Sequence, residues 1–377
     1  MTEPMTPQTP HNLIDGTEAD GPAAHIATTP SDLRPPSDTE LLRVENLSVS
    51  FPTDDGLVKA VRGVSYTLRE REVLGIVGES GSGKSVSSMA VMGLLPKSAQ
   101  INGTIQFRGK DVLKMSAKEQ RGLRGRKIGM IFQDPMTALN PVYNVGDQLA
   151  EAVRSHEAVP KRLALKRAEE MLDLVGIPQP KQRLKNYPHE FSGGMRQRAM
   201  IAMAVINNPD VIIADEPTTA LDVTVQAQIL EKLIEVKDAV NAAIVLITHD
   251  LGVVAGMAHR VLVMYAGRPV EIGNVDDVFY GPRMPYTGGL LGSIPELGGA
   301  TERLRPIKGA PPSLINLPQG CPFSPRCPLA TDVCREVEPP LTDTDQHFHV
   351  AACHHWDKMA EADDPTAFFR TESETAR

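Results

Sequence analysis

The octapeptide GESGSGKS at residues 78–85 constrains this chain more than any other segment. It fits G-x-x-x-x-G-K-[ST]. The apolar run VLGIV leads into it, and a helix-compatible apolar segment, residues 86–95, follows. Strand, tight loop and helix in that order make a phosphate-binding loop. Glycines let successive backbone N–H groups converge on phosphate oxygens, and the helix N-terminus adds its dipole. Gly78, Ser80, Gly81, Gly83, Lys84, Ser85 and Val86 are the expected nucleotide contacts. Lys84 reaches the outer phosphates and Ser85 ligates Mg²⁺. An ordinary glycine-rich turn does not account for strand, loop, Lys and Ser together. The chain is expected to bind a nucleoside triphosphate.

Further pieces fall into place around that loop. VIIADEP, residues 211–217, is an apolar strand delivering Asp215 and Glu216 at its carboxyl end, where open parallel sheets bind ligands. Asp215 is placed to hold Mg²⁺, and Glu216 to polarise an attacking water as general base. Gln133 ends the apolar run KIGMIFQ and is placed to orient water or contact Mg²⁺. His249 ends another in LITHD, where a neutral imidazole would bond the terminal phosphate. In FSGGMRQR, residues 191–198, Ser192 caps a helix, while Gly193 and Gly194 leave N–H groups open to an anion. Each string alone has a plain structural reading: an acidic turn, a strand-end His, a helix start. Their combination favours the chemical one.

The chain has 377 residues and a net charge of −8, enough for a large core and no support for a nucleic-acid partner. The basic runs at 118–127 and 161–167 read as solvated faces. No apolar run approaches the ~18–20 residues that span a bilayer, and no signal-peptide pattern opens the sequence. The expected location is cytoplasmic, with membrane contact only peripheral. Residues 1–38 are Pro-, Thr- and Asp-rich and read as a disordered tail. Strands are expected at 41–51, 58–68, 73–77, 101–107, 127–133, 211–214 and 243–247. A helical insertion spans about 134–207, with Leu165, Ala168, Leu172 and Val175 on one helical face. Short apolar strands alternating with helices give an α/β class with a three-layer core. Pro density rises from 282, which sets a C-terminal extension (282–356) and tail (357–377) apart from a main domain at 39–281.

Together these motifs resemble the ATP-binding cassette (ABC) family of ATPases over residues 40–280. In that resemblance GESGSGKS is the Walker A loop and Gln133 the Q-loop glutamine. FSGGMRQR is the signature, with Met195 where Gln is commonest. VIIADE is the Walker B strand with its catalytic glutamate, residues 219–222 (TALD, ending in Asp222) are the D-loop, and His249 is the switch histidine. The adenine-stacking aromatic falls at Phe51. The family packs two cassettes head to tail, so each ATP lies between one Walker A loop and the other chain's signature. PHEFSGGMRQR, MPYTGGLL (284–291) and KGAPPSLINLPQGCPFSPRC (308–327) look like oligopeptide/dipeptide permease ATPase subunits. That implies an ABC-type P-loop ATPase core driving an importer, at the cytoplasmic face of the membrane. The implied partners are two transmembrane permease subunits, an extracytoplasmic solute-binding protein and a second ATPase subunit, identical or homologous. Nickel or another small solute stays open as cargo, and a soluble, non-transport ABC ATPase is the further alternative.

All four cysteines, Cys321, Cys327, Cys334 and Cys353, lie within 33 residues, spaced C-x5-C-x6-C-x18-C. Disulfides do not suit a reducing cytosol, and zinc sites favour C-x2-4-C pairs. Wider spacing among prolines suits an iron–sulfur cluster, and the permease-ATPase resemblance points the same way, to [4Fe–4S]. Zn²⁺, with help from His347, His349, His354 or His355, and unligated thiols remain alternatives. The extension has little core of its own, so ligation is expected to be structural. Far in sequence from Glu216, it is not expected to be needed for phosphate chemistry.

Overall fold

Three strand sequences, VLGIV, VIIAD and AIVLIT, carry no polar side chain until their last residue. Unbroken apolar runs of this kind are stable only where both faces of a sheet are covered. The computed structural model, which describes residues 36–219, 222–294 and 307–369, shows that arrangement. The strands in chain order are β1 Glu40–Thr53, β2 Gly56–Arg69, β3 Val73–Val77, β4 Gln100–Phe107, β5 Lys110–Asp111, β6 Ile128–Ile131, β7 Val211–Asp215, β8 Ala243–Thr248, β9 Arg260–Tyr265, β10 Arg268–Asn274, β11 Thr342–Asp343 and β12 Val350–Ala351.

The main sheet runs β11-β12-β10-β9-β3-β8-β7-β6, and a second, antiparallel sheet runs β2-β1-β4-β5. From β9 to β6 the main sheet is parallel. Side chains of β8 alternate between two cores, Ile244 and Leu246 on one side, Val245 and Ile247 on the other. The second core fills the space under the antiparallel sheet, against Leu42, Leu47, Val64 and Leu68. The first holds the helical insertion between β6 and β7. There the helix Lys161–Leu174 buries Ala164, Ala168 and Leu172. It stops at Val175, where Gly176 takes a positive φ of 74°. Among the described residues no helix is long and apolar enough to cross a membrane.

The Pro-rich extension does not stand apart. β12 pairs with β10, Ala351 opposite Glu271 and Val350 opposite Ile272, and β11 completes the edge. Without this pairing β10 would leave open backbone donors and acceptors. A fully buried pair locks the join: His349 Nε2 lies 2.7 Å from Glu271 Oε1, and Nδ1 lies 2.7 Å from Gln346 Oε1. The Glu271 carboxylate also accepts the backbone N–H groups of Arg283 and Met284. The first part of the expected C-terminal tail packs as well. Gly288 and Gly289, on the helix Pro285–Leu291, leave room for Met359 and Phe369, and Met359 is fully buried. The expected N-terminal tail lies, up to residue 35, outside the described residues.

Glu271→Ala strips the acceptor from three buried donors, each worth ~1–3 kcal/mol when orphaned. The expected result is a lower urea midpoint and proteolytic nicking near residues 340–350. An unchanged midpoint would show that the edge strands do not depend on this carboxylate.

Candidate nucleotide site

β3 ends at Val77 and the chain turns through Gly78 to Gly83 before the helix Lys84–Val91. The turn admits glycine alone at two points. Gly78 has φ 148°, and a Cβ there would lie 2.2 Å from Met264 O; at Gly83, with φ 98°, it would lie 2.3 Å from Ala60 O. Ser80 and Gly81 form the exposed tip, and Val86 packs half-buried on the second core. Lys84 is buried, and its Nζ donates to the carbonyls of Gly78 (2.7 Å) and Glu79 (3.1 Å). Burial pushes its ammonium pKa down, against the opposite pull of Glu216, Asp215 and Glu79. An incoming phosphate would supply the missing counter-charge.

The next residue meets the end of β7. Ser85 Oγ donates to Asp215 Oδ1 at 2.9 Å. Burial raises the Asp215 carboxyl, and the Ser85 hydrogen bond opposes that shift. A hydroxyl and a desolvated carboxylate side by side are a donor set suited to Mg²⁺. Glu216 follows in the left-handed region, φ 47°, a strained conformation held because its N–H donates to Ile247 O at 2.8 Å. Its Oε2 accepts from Gln133 Nε2 (2.8 Å) and Thr219 Oγ1 (2.9 Å), and His249 Nδ1 stands 3.5 Å from Oε1. Gln133, Glu216 and His249, read from three separate strings, thus meet at one carboxylate. In the sequence Thr219 reads only as the start of TALD, and its bond to Glu216 is not anticipated. The Gln133 amide, also expected to contact Mg²⁺, donates here to Glu216.

Ser192 caps the helix Gly193–Val205, accepting from Met195 N–H. Asp222 caps the helix Val223–Val240 in the same way. Ser192, Gly193, Gly194 and Asp222 line one open groove that contains no residue of the phosphate loop. Ala220 and Leu221, the middle of TALD, lie outside the described residues. Phe51 is half-buried near the end of β1, opposite Val58, against the core of the antiparallel sheet.

Though far from it in sequence, the tail touches the phosphate loop. Arg326, between two of the cysteines, forms a two-pronged ion pair with Glu79 of the phosphate loop, at 2.7 and 2.9 Å. Tyr286 Oη accepts the Glu79 N–H at 2.9 Å. No local pattern announces either contact, since the partners lie 247 and 207 residues apart. The four cysteines are free and line one small cavity with His354 and His355. His349 faces Glu271 instead. Among the described residues no group of three or more Cys, His, Asp or Glu is arranged to hold a metal ion. Burial pushes the Cys327 and Cys353 thiols up to about 12, and the Cys321 thiol upward too.

Comparison with known proteins agrees with this geometry. Residues 61–219 match the family model described as ABC transporter, and residues 270–334 match the oligopeptide/dipeptide transporter C-terminal region. The dipeptide transport ATP-binding protein DppD of Bacillus subtilis is 56% identical over 324 residues, 85% of this chain and 96% of that protein. The oligopeptide transport ATP-binding protein OppD of Escherichia coli is 53% identical over 303 residues, 80% and 90% of the two chains. Against the OppD of Mycobacterium tuberculosis, also 56% identical, the match spans about half (51%) of that longer protein. Among solved structures, a dimeric ATP-binding cassette in a post-hydrolysis state with ADP and Pi matches with a TM-score of 0.56 at 25% identity, over 62% of this chain and 99% of that one. The chain therefore belongs to the ABC transporter ATPases, in the group that carries the oligopeptide/dipeptide transporter C-terminal region.

Proposed function

We propose that this ATPase energises an importer of oligopeptides or dipeptides, working at the cytoplasmic face of the membrane beside two permease subunits and fed by an extracytoplasmic binding protein. The observation that carries the catalytic part is the convergence of Gln133, Thr219 and His249 on Glu216, next to the Ser85–Asp215 pair. Lys84 exchanges its loop carbonyls for the β- and γ-phosphates. Ser85 and Asp215 would hold Mg²⁺, which neutralises phosphate charge. Glu216 takes a proton from the attacking water, Gln133 keeps that carboxylate aimed, and His249 bonds the terminal phosphate. Phe51 is the aromatic candidate for the adenine.

No residue of the chain's own phosphate loop lines the groove around Ser192, which favours a second ATPase subunit, identical or homologous, whose nucleotide it completes. A second groove, lined by Met130, Phe132, Ala138, His156, Met200 and Met203, lies between the strand leading to Gln133 and the helical insertion. It suits an apolar permease segment, whose movement would reach Glu216 through Gln133. The peptide cargo is read from the named activities of the relatives. The four cysteines are ligand candidates for a [4Fe–4S] cluster, with Zn²⁺ the alternative. What supports ligation is four thiols facing one cavity. A bound metal would stabilise the thiolates that burial disfavours.

Glu216→Gln is expected to keep ATP binding and lower hydrolysis by ~10²–10⁴-fold, the usual share of a general base. Near-normal turnover of the variant in the assembled transporter would remove Glu216 from the role. Metal analysis of anaerobically purified protein tests the cysteines. About four iron atoms per chain, with absorbance near ~400 nm, is the expected result. One zinc without iron would favour the alternative, and no metal at all would defeat both.

A further inference from the structure

Glu79 places a carboxylate inside the phosphate-binding loop. Its carboxylate brings negative charge to a place that must accept more of it. In this structure all three of its polar groups are held. The backbone N–H is taken by Tyr286 Oη, the carbonyl accepts from Lys84 Nζ, and the carboxylate is gripped by both terminal nitrogens of Arg326. The Arg326 side chain is only 4% exposed. Its Nε donates to Lys308 O at 3.1 Å, Nη1 also reaches Tyr265 Oη at 3.2 Å, and the rings of Tyr265 and Phe323 lie 5.8 and 5.9 Å from its guanidinium carbon. Tyr265, Tyr286 and Phe323 pack on one another, with centroids 4.5–5.4 Å apart. The guanidinium is therefore fixed before any nucleotide arrives.

Arg326 belongs to the tail. It ends the 3-10 turn Ser324–Arg326 between Cys321 and Cys327, and that turn is tied to both: Ser324 N–H donates to Cys321 O at 2.9 Å, and Cys327 N–H to Ser324 O at 3.4 Å. The place of the guanidinium is thus set by the segment that carries the thiols.

We propose that Arg326 is a positioning residue of the ATP site: it neutralises Glu79 and pins the first residues of the phosphate loop, so that ATP affinity depends on the four-cysteine segment. The proposal rests on residues 78–85 being the ATP site. Remove Arg326, and an unpaired carboxylate stands beside Lys84, competing with phosphate for its charge. Remove Glu79 as well, and that competition ends.

The test is ATP affinity of the full chain with Mg²⁺, by calorimetric titration. Arg326→Met is expected to weaken ATP binding by ~5–30-fold, within the usual range of coupling between sites. Adding Glu79→Gln to it is expected to restore affinity to within about 3-fold of Glu79→Gln alone, the non-additivity of a directly interacting pair. A purely structural loss would not be rescued by a second substitution. Wild-type affinity in Arg326→Met, or a loss that Glu79→Gln leaves in place, would overturn the proposal. Should Arg326→Met fail to fold, Arg326→Gln carries the same test: a loss of ~5-fold or more that Glu79→Gln restores to within about 3-fold of Glu79→Gln alone supports the proposal. A smaller loss, or one that Glu79→Gln leaves in place, overturns it. Failure of the underlying site shows differently, as Lys84→Ala binding ATP like wild type.

Discussion

Everything chemical in this molecule follows from the parallel pairing of β3, β8 and β7. Because Val77 lies beside Thr248 and Asp215 beside Ile247, three strands end at one level of the sheet. The phosphate loop leaves from the first, His249 from the second and Glu216 from the third. Parallel register alone brings Ser85 to 2.9 Å from Asp215, across 130 residues of sequence. The hydrogen bond from Glu216 N–H to Ile247 O extends the pairing one residue past β7 and holds Glu216 in its left-handed conformation. Continuous apolar strands make this register unambiguous, because each face of the sheet has its own core to fill.

The same sheet explains the reach of the C-terminal segment. β9 neighbours β3, β10 follows β9 by a tight turn at Ala266 and Gly267, and β12 closes the edge through the buried Glu271–His349 pair. Tyr265 closes β9 and packs on Tyr286 and Phe323. The tail is therefore bound to the strand next to the phosphate loop, and Arg326 reaches Glu79 over a short spatial distance despite the long sequence between them. Charge placement is the common thread. Burial pulls the Lys84 pKa down and pushes those of Asp215 and the Cys327 thiol up.

The motifs were legible because their chemistry demands fixed residue types at short spacing. A Cβ at Gly78 or Gly83 would strike backbone, so glycine there is a requirement visible in any such loop. The strands β3, β7 and β8 were legible because burial on both faces leaves no polar side chain in them before their last residue. Strand β9, RVLVMY, is also almost wholly buried but is not among the expected strands; it opens on Arg260 and carries no motif at its end. β11 and β12, two residues each, are too short to leave a pattern. Arg326, Tyr286 and Glu79 were invisible as a group because ion pairs between distant segments carry no periodicity. The cysteine spacing invited a ligand set, and the folded segment brings the four thiols around one cavity.

The central claim is that the ends of β3 and β7 form one Mg²⁺–nucleotide site, and the Mg²⁺ dependence of ATP affinity tests it most directly. Wild-type chain should bind ATP more tightly when Mg²⁺ is added. In Asp215→Asn that gain should largely vanish, while metal-free ATP still binds through Lys84 and the loop N–H groups. An Asp215→Asn chain whose ATP affinity responds to Mg²⁺ as fully as wild type would contradict the account.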